Sequence, residues 1–114
     1  MTNNRSDRQR VAWRTEYEWA VTTWDADDSQ SEYFPTAEDA LQYKAALLDA
    51  DEYQNVALGI RRNVFNDFEV LPFDLQTFSN GEVPEAFLSW TGAVIAKVPQ
   101  HIHRAYAKAL KASS

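Results

Sequence analysis

Two clusters have residue types and spacings that coordination chemistry uses: Asp25-Ala26-Asp27-Asp28 and His101-Ile102-His103. A calcium loop of the EF-hand kind needs oxygen ligands at positions 1, 3 and 5, glycine at 6 and a bidentate glutamate at 12. Counted from Asp25, those positions hold Asp25, Asp27, Ser29, Gln30 and Thr36. The glycine and the glutamate are both missing, so the cluster reads as a solvated turn. The histidine pair fails differently. Pro99 and the alanines that follow place it on a helix, where residues i and i+2 point about 200° apart, and two such imidazoles cannot share one ion. No metal and no cofactor is expected.

Nucleophilic catalysis is no better served. The chain has no cysteine, which removes a thiol nucleophile, a disulfide scaffold and Cys-ligated metal sites. Ser29, Ser31, Ser79 and Ser89 lack a G-x-S-x-G setting. Gly59, Gly81 and Gly92 are too far apart to form a phosphate-cradling loop. Carboxylates are plentiful without forming a defined pair. No catalytic residue is assigned, and a protein that works by binding is expected.

Charge distribution locates the binding candidates. Net charge is -6, but it is segregated. Residues 16–52 carry eleven acids against Lys44 alone, whereas residues 97–114 carry Lys97, Arg104, Lys108 and Lys111 with no acid. Such an excess of one sign goes beyond what solubility asks of a small domain. It marks Asp25, Asp27, Asp28, Glu32, Glu38 and Asp39 as a surface for a protein partner with a basic face, or as a mimic of nucleic acid. Trp24 and Trp90 are candidate aromatic hot spots. Arg5, Arg8, Arg10 and Arg14 form a basic arm beside Trp13 that could track phosphates. The acidic middle of the chain would repel a polyanion, so nucleic acid is the weaker candidate.

These residues must be positioned by a small fold. The 114 residues, 45% hydrophobic with four Trp, five Tyr and six Phe, suffice for one core. Residues 1–12 are polar and basic and read as a flexible arm; 13–114 read as one domain. From Arg14 to Trp24, Tyr17, Trp19, Val21 and Thr23 alternate with polar or small residues, the period of a half-buried strand. Asp25–Gln30 is a turn and Ser31–Phe34 a returning strand. Thr36 caps a helix with Asp39 at its third position, buries Ala37, Ala40, Leu41, Leu47 and Leu48, and ends near Ala50–Glu52. Val56–Phe65 alternates as a third strand. Asn66-Asp67 turns it, and Phe68–Leu71 is expected to pair back as a fourth, stopped by Pro72. Phe73 to Asn80 reads as a loop, with Asn80-Gly81 as a turn. Residues 84–98 fit either a helix burying Phe87, Leu88, Val94 and Ile95 or a strand over Gly92–Ala96; periodicity does not choose. Pro99 opens a last helix that buries Ile102, Tyr106, Ala109 and Leu110. The expected class is α+β, a mainly antiparallel sheet in the order ββαββ followed by one or two C-terminal helices.

Three stretches carry a family resemblance: Tyr17-Glu18-Trp19-Ala20-Val21, Phe34-Pro35-Thr36-Ala37-Glu38-Asp39-Ala40, and Val56-Ala57-Leu58-Gly59-Ile60-Arg61-Arg62. Their layout resembles that of small uncharacterised ββαβ proteins of bacteriophages and actinobacteria, over about half of the chain; residues 72–114 have no counterpart in it. The resemblance implies an accessory protein that modulates a host or phage component, and no activity or site residue.

The expected function is therefore that of a non-enzymatic interaction or regulatory protein, an inhibitor among the options, encoded by a phage or mobile element. The alternatives are a homo-oligomer joined through Trp90 and the C-terminal helices, and a nucleic-acid binder using the arginine arm. The first ten residues contain no apolar run, and no segment reaches the roughly 18–20 apolar residues of a membrane span. A cytoplasmic location without membrane contact is the expectation.

Overall fold

The structure is a computed structural model and describes residues 12–50, 55–78 and 81–113. Strand β1 (Arg14–Trp24) turns into β2 (Ser29–Phe34), followed by helix α1 (Ala37–Ala50) and strand β3 (Asn55–Phe65). Strands β4 (Asp74–Thr77), β5 (Ala86–Leu88) and β6 (Val94–Lys97) and helix α2 (Gln100–Ser113) complete the chain. The main sheet is antiparallel with the order β2-β1-β3-β4, and β5 and β6 form a separate two-stranded ribbon. The α+β class and the mainly antiparallel sheet follow the sequence expectation. Arg5, Arg8 and Arg10 of the expected arm lie outside the described residues, as do Asp51, Glu52 and Asn80.

The central pair is β1 with β3, eleven residues each, in continuous register from Arg14 opposite Phe65 to Trp24 opposite Asn55. Alternation then sorts the side chains. Trp19 and Val21 of β1 share a face with Leu58 and Ile60 of β3, and all four are buried. Both helices cover that face. α1 brings Ala37 and Ala40 into the same core, and α2 brings Ile102, Tyr106 and Ala109. Small residues at the α1 contact let its backbone approach the sheet closely. Its capping follows the sequence: the Asp39 N–H donates to Thr36 Oγ1 at 3.2 Å and the Ala40 N–H to the Thr36 carbonyl at 3.3 Å.

Aromatic side chains weld the core together. Trp19 stacks on Tyr106 with centroids 5.9 Å apart, and Phe78 meets Tyr106 edge-on at 5.3 Å. Phe87 stacks on Tyr17 at 6.2 Å. The Tyr106 hydroxyl donates to the Gly81 carbonyl at 3.1 Å, so the one polar atom brought inside by this ring has a partner. Burial nonetheless pushes its pKa above that of a free tyrosine.

Neither described helix covers the opposite face, yet its centre is closed. Ala20, opposite Tyr33 on β2 and Gly59 on β3, is 0% exposed. The Arg61 guanidinium lies 3.7 Å from the Tyr33 ring centre and 5.0 Å from that of Phe73. Glu18, directly across from Arg61, accepts from its Nε at 2.9 Å and from its Nη2, and also from Asn63 Nδ2 at 3.0 Å. An arginine held between two rings and neutralised from beneath thus closes the face.

Three expectations are corrected, and the open choice over residues 84–98 is resolved. Phe68–Leu71 pairs back on β3 only briefly, through the Phe65–Val70 bridge and the Leu71 N–H donating to the Val64 carbonyl at 3.0 Å, and is not the fourth strand. The Asn66 carboxamide accepts from the N–H groups of Phe68 at 2.8 Å and Glu69 at 2.9 Å, which curls the chain into a turn. The fourth strand is Asp74–Thr77, within the expected loop; its DLQT sequence lacks an apolar alternation because it pairs at the sheet margin. Residues 84–98 are the β5–β6 hairpin, with Gly92 at φ +90° in its turn, and α2 is the one helix beyond it. Finally, Leu48 and Leu110 are largely exposed; Leu48 lines an open groove between the two helices.

Candidate functional site

The candidate acidic residues follow the outer border of the sheet. Asp25, Asp27 and Asp28 lie in the β1–β2 turn, closed by the Asp25 N–H donating to the Asp28 carbonyl at 2.9 Å. Glu32 lies on β2, the edge strand, and Glu38 and Asp39 occupy the first turn of α1. A six-residue strand spans roughly 20 Å, so the acids frame β2 from one end to the other. All six are exposed. Among the described residues, none of the six forms an ion pair; the pairs present are Arg14–Asp67, Arg61–Glu18 and Arg62–Asp74. Glu38 and Asp39 also face the positive end of the α1 dipole, which favours carboxylates there.

The tryptophans divide into one core residue and three surface ones. Trp19 is buried, while Trp13, Trp24 and Trp90 are exposed. Trp24 is 37% exposed and lines a small recess with Asp25 and Asp28. An aromatic surface therefore adjoins the acidic turn. Trp90 is 97% exposed at the tip of the β5–β6 hairpin. Its turn is held by Ser89 N–H to the Ala93 carbonyl at 2.8 Å, Gly92 N–H to the Ser89 carbonyl at 2.9 Å and a Ser89–Thr91 hydroxyl contact at 2.8 Å. Leu88, Val94 and Ile95 beside it are exposed too.

No family model matches the chain, and neither a curated protein nor a solved structure matches it. What the site can do is thus read from its own geometry.

The two histidines turn into different surroundings, as helical spacing requires. His101 meets Tyr17 edge-on at 5.9 Å, whereas His103 borders a groove with Glu82, Val83 and Tyr106. Arg14 of the basic arm is already engaged: its Nη2 donates to Asp67 Oδ1 at 3.2 Å, and its guanidinium lies 4.9 Å from the Phe65 ring centre. Among the described residues, no helix is long and apolar enough to cross a membrane.

One surface was hidden from sequence reasoning. The β3–β4 connection exposes Phe68, Val70, Leu71 and Phe73; the first three look like strand residues when only alternation is counted. Asn66-Asp67 marks the turn, where the Asn66 carboxamide accepts from the N–H groups two and three residues on, but says nothing of how far the returning segment pairs.

Proposed function

We propose that the chain is a non-enzymatic interaction protein that binds a protein partner through the acidic border of β2, using carboxylates to attract a basic surface and Trp24 as an apolar anchor. The supporting observation is that six exposed carboxylates along β2, two of them lining a recess with the partly exposed Trp24, have no cationic partner within the described residues. Elsewhere in the molecule, Glu18, Asp67 and Asp74 each have an arginine. Unpaired surface carboxylates steer a cationic partner and are neutralised on contact. A row of them can also occupy a site meant for nucleic acid. Modulation of a host or phage component, as the family resemblance implies, fits this mode.

The test is binding to a co-purified basic partner over a range of salt concentrations. Affinity should fall steeply with ionic strength. It should fall at least about tenfold when Asp25, Asp27 and Asp28 are reversed to lysine. Salt-independent binding unaffected by the reversal refutes the proposal.

A second mode is a homo-oligomer or partner anchored on Trp90, supported by its near-complete exposure on a tightly hydrogen-bonded turn. Trp90→Ala should then abolish association without altering the fold. A nucleic-acid mode through the arginine arm predicts a mobility shift at low salt that is lost on deleting residues 1–12. The acidic middle of the chain, which would repel a polyanion, counts against it.

A further inference from the structure

Among the described residues, the lower half of β1 has an open hydrogen-bonding edge. β2 pairs with β1 from Trp19 opposite Phe34 to Trp24 opposite Ser29, and no described strand pairs with Arg14–Glu18 on that side. The reason lies in the next two residues of β2. Continuing the register would put Pro35 opposite Glu18 and Thr36 opposite Tyr17. Pro35 has no N–H to donate, and Thr36 is already the cap of α1. The chain must leave the sheet there.

Alternation says which backbone groups are left over. In an antiparallel ladder, the N–H and C=O of one residue point to the same neighbour, and those of the next residue to the other. The Asp25 N–H donates to the Asp28 carbonyl in the β1–β2 register, so the odd residues of β1 point toward the β2 side. The Phe78 N–H donates to the Leu58 carbonyl, so even residues of β3 point to β4 and odd ones to the even residues of β1. Both observations agree. The N–H and C=O groups of Thr15 and Tyr17 face the open edge.

Beside that edge lies an open groove of about 630 Å³, lined by Thr15, Tyr17, Pro35, His101, Ile102 and Ala105. Trp13, 48% exposed, stands just before β1. Arg14 and Glu16 are both exposed and lie on the other side of the strand, two residues apart and opposite in charge.

We infer that this edge pairs with the same edge of a second copy, antiparallel about a two-fold axis through Thr15. In that register Thr15 meets Thr15, Arg14 meets Glu16 and Trp13 meets Tyr17, each twice where the two residues differ. An isologous interface requires a self-complementary surface, and each requirement is met by a different feature. The outward N–H and C=O groups of residues 13, 15 and 17 meet their own kind in hydrogen-bonded pairs. The two Arg14–Glu16 pairs are cross-strand ion pairs. Trp13 of the second copy falls on the groove side, over Tyr17 and against Ile102 and Ala105. Registers shifted by two residues set Glu16 against Glu16 or Arg14 against Arg14, like charges in contact, so the charges choose the alignment. Arg14 is free to turn, since its contact with Asp67 is a solvent-exposed pair worth little. The interface lies at the opposite end of β1 from the Asp25–Asp28 turn.

The experiment is sedimentation equilibrium of the full chain from about 1 μM to about 1 mM, the range a small interface occupies. A monomer–dimer equilibrium is expected. Arg14→Glu and Glu16→Arg should each weaken it on the order of tenfold, and the double exchange Arg14→Glu with Glu16→Arg should restore it. Thr15→Pro removes an N–H that faces outward only, so it should abolish the dimer while circular dichroism stays unchanged. If that variant misfolds, the charge exchange decides on its own. Trp13 fluorescence should shift to the blue on dimerisation. A monomer across the whole range overturns the inference, as does a dimer indifferent to the Arg14 and Glu16 exchanges.

Discussion

On one face of the central sheet, Trp19, Val21, Leu58 and Ile60 are covered by two helices; on the other, Ala20 lies between Tyr33 and Gly59, and the Tyr33, Arg61 and Phe73 side chains pack together. The first face is closed by elements and the second by reach. Helices deliver many apolar contacts at once, and their loss is felt throughout the core. Three long side chains close an area as completely, judged by Ala20, but each depends on its neighbours. The arginine is neutralised by Glu18, and Tyr33 and Phe73 meet edge-on with centroids 6.2 Å apart. A charged residue at the centre of a sheet is stable here because it is held as a lid rather than buried as a core residue.

The difference can be broken from the helix side first. Trp19→Ala should cost about 3–5 kcal/mol, because it removes the ring on which both Tyr106 and Phe78 pack. Urea unfolding gives the number, and a loss below about 1 kcal/mol would mean that the aromatic cluster does not hold the helices. From the open side, Arg61→Ala should cost about 1–3 kcal/mol by separating the rings and leaving Glu18 with Asn63 alone. Arg61→Lys should recover only part of that, since an ammonium lacks the planar fork that fills the space between rings. Full recovery by lysine would show that charge alone matters on this face.

Smaller effects sharpen the contrast. Reversal of Asp25, Asp27 and Asp28 to lysine should change stability by no more than about 0.5 kcal/mol, because none supports the fold through an ion pair. A large loss would assign the turn a structural role instead of a binding one. The last prediction concerns pH. Tyr106 has a raised pKa in the folded chain because burial disfavours its anion. Above the ordinary value near 10, the unfolded chain loses this proton before the folded one does. Its contribution is complete below that pH and is lost as pH rises toward the folded value. Tyr106→Phe should therefore flatten the alkaline limb of a stability-against-pH curve; an unchanged limb would mean that other groups set it.

How much of this was legible in advance differs between the elements. β1, α1, β3 and α2 were visible because each is long enough to show its period: alternation from Tyr17 to Thr23, a Thr36 cap before Ala37 and Ala40, and Ile102, Tyr106 and Ala109 at helical spacing. The short strands were not. β5 has three residues and β6 four, fewer than a period needs to declare itself, and Phe68–Leu71 pairs with β3 only at Phe65 and Val64. The acidic residues of the candidate surface could be listed from the chain, but their arrangement along the margin of β2 could not.

The sequence by itself determined the local periods, the helix cap, the excess of acid between Glu16 and Glu52 and the failure of the calcium and histidine motifs, because each depends on neighbours within a few residues. Only the tertiary structure decided that β3 lies between β1 and β4, that Arg61 reaches Tyr33, Phe73 and Glu18 at once, and that the first residues of β1 keep an open edge. Those outcomes join residues more than ten positions apart, where the pairing register of whole strands, and not the preference of any one residue, selects the contact.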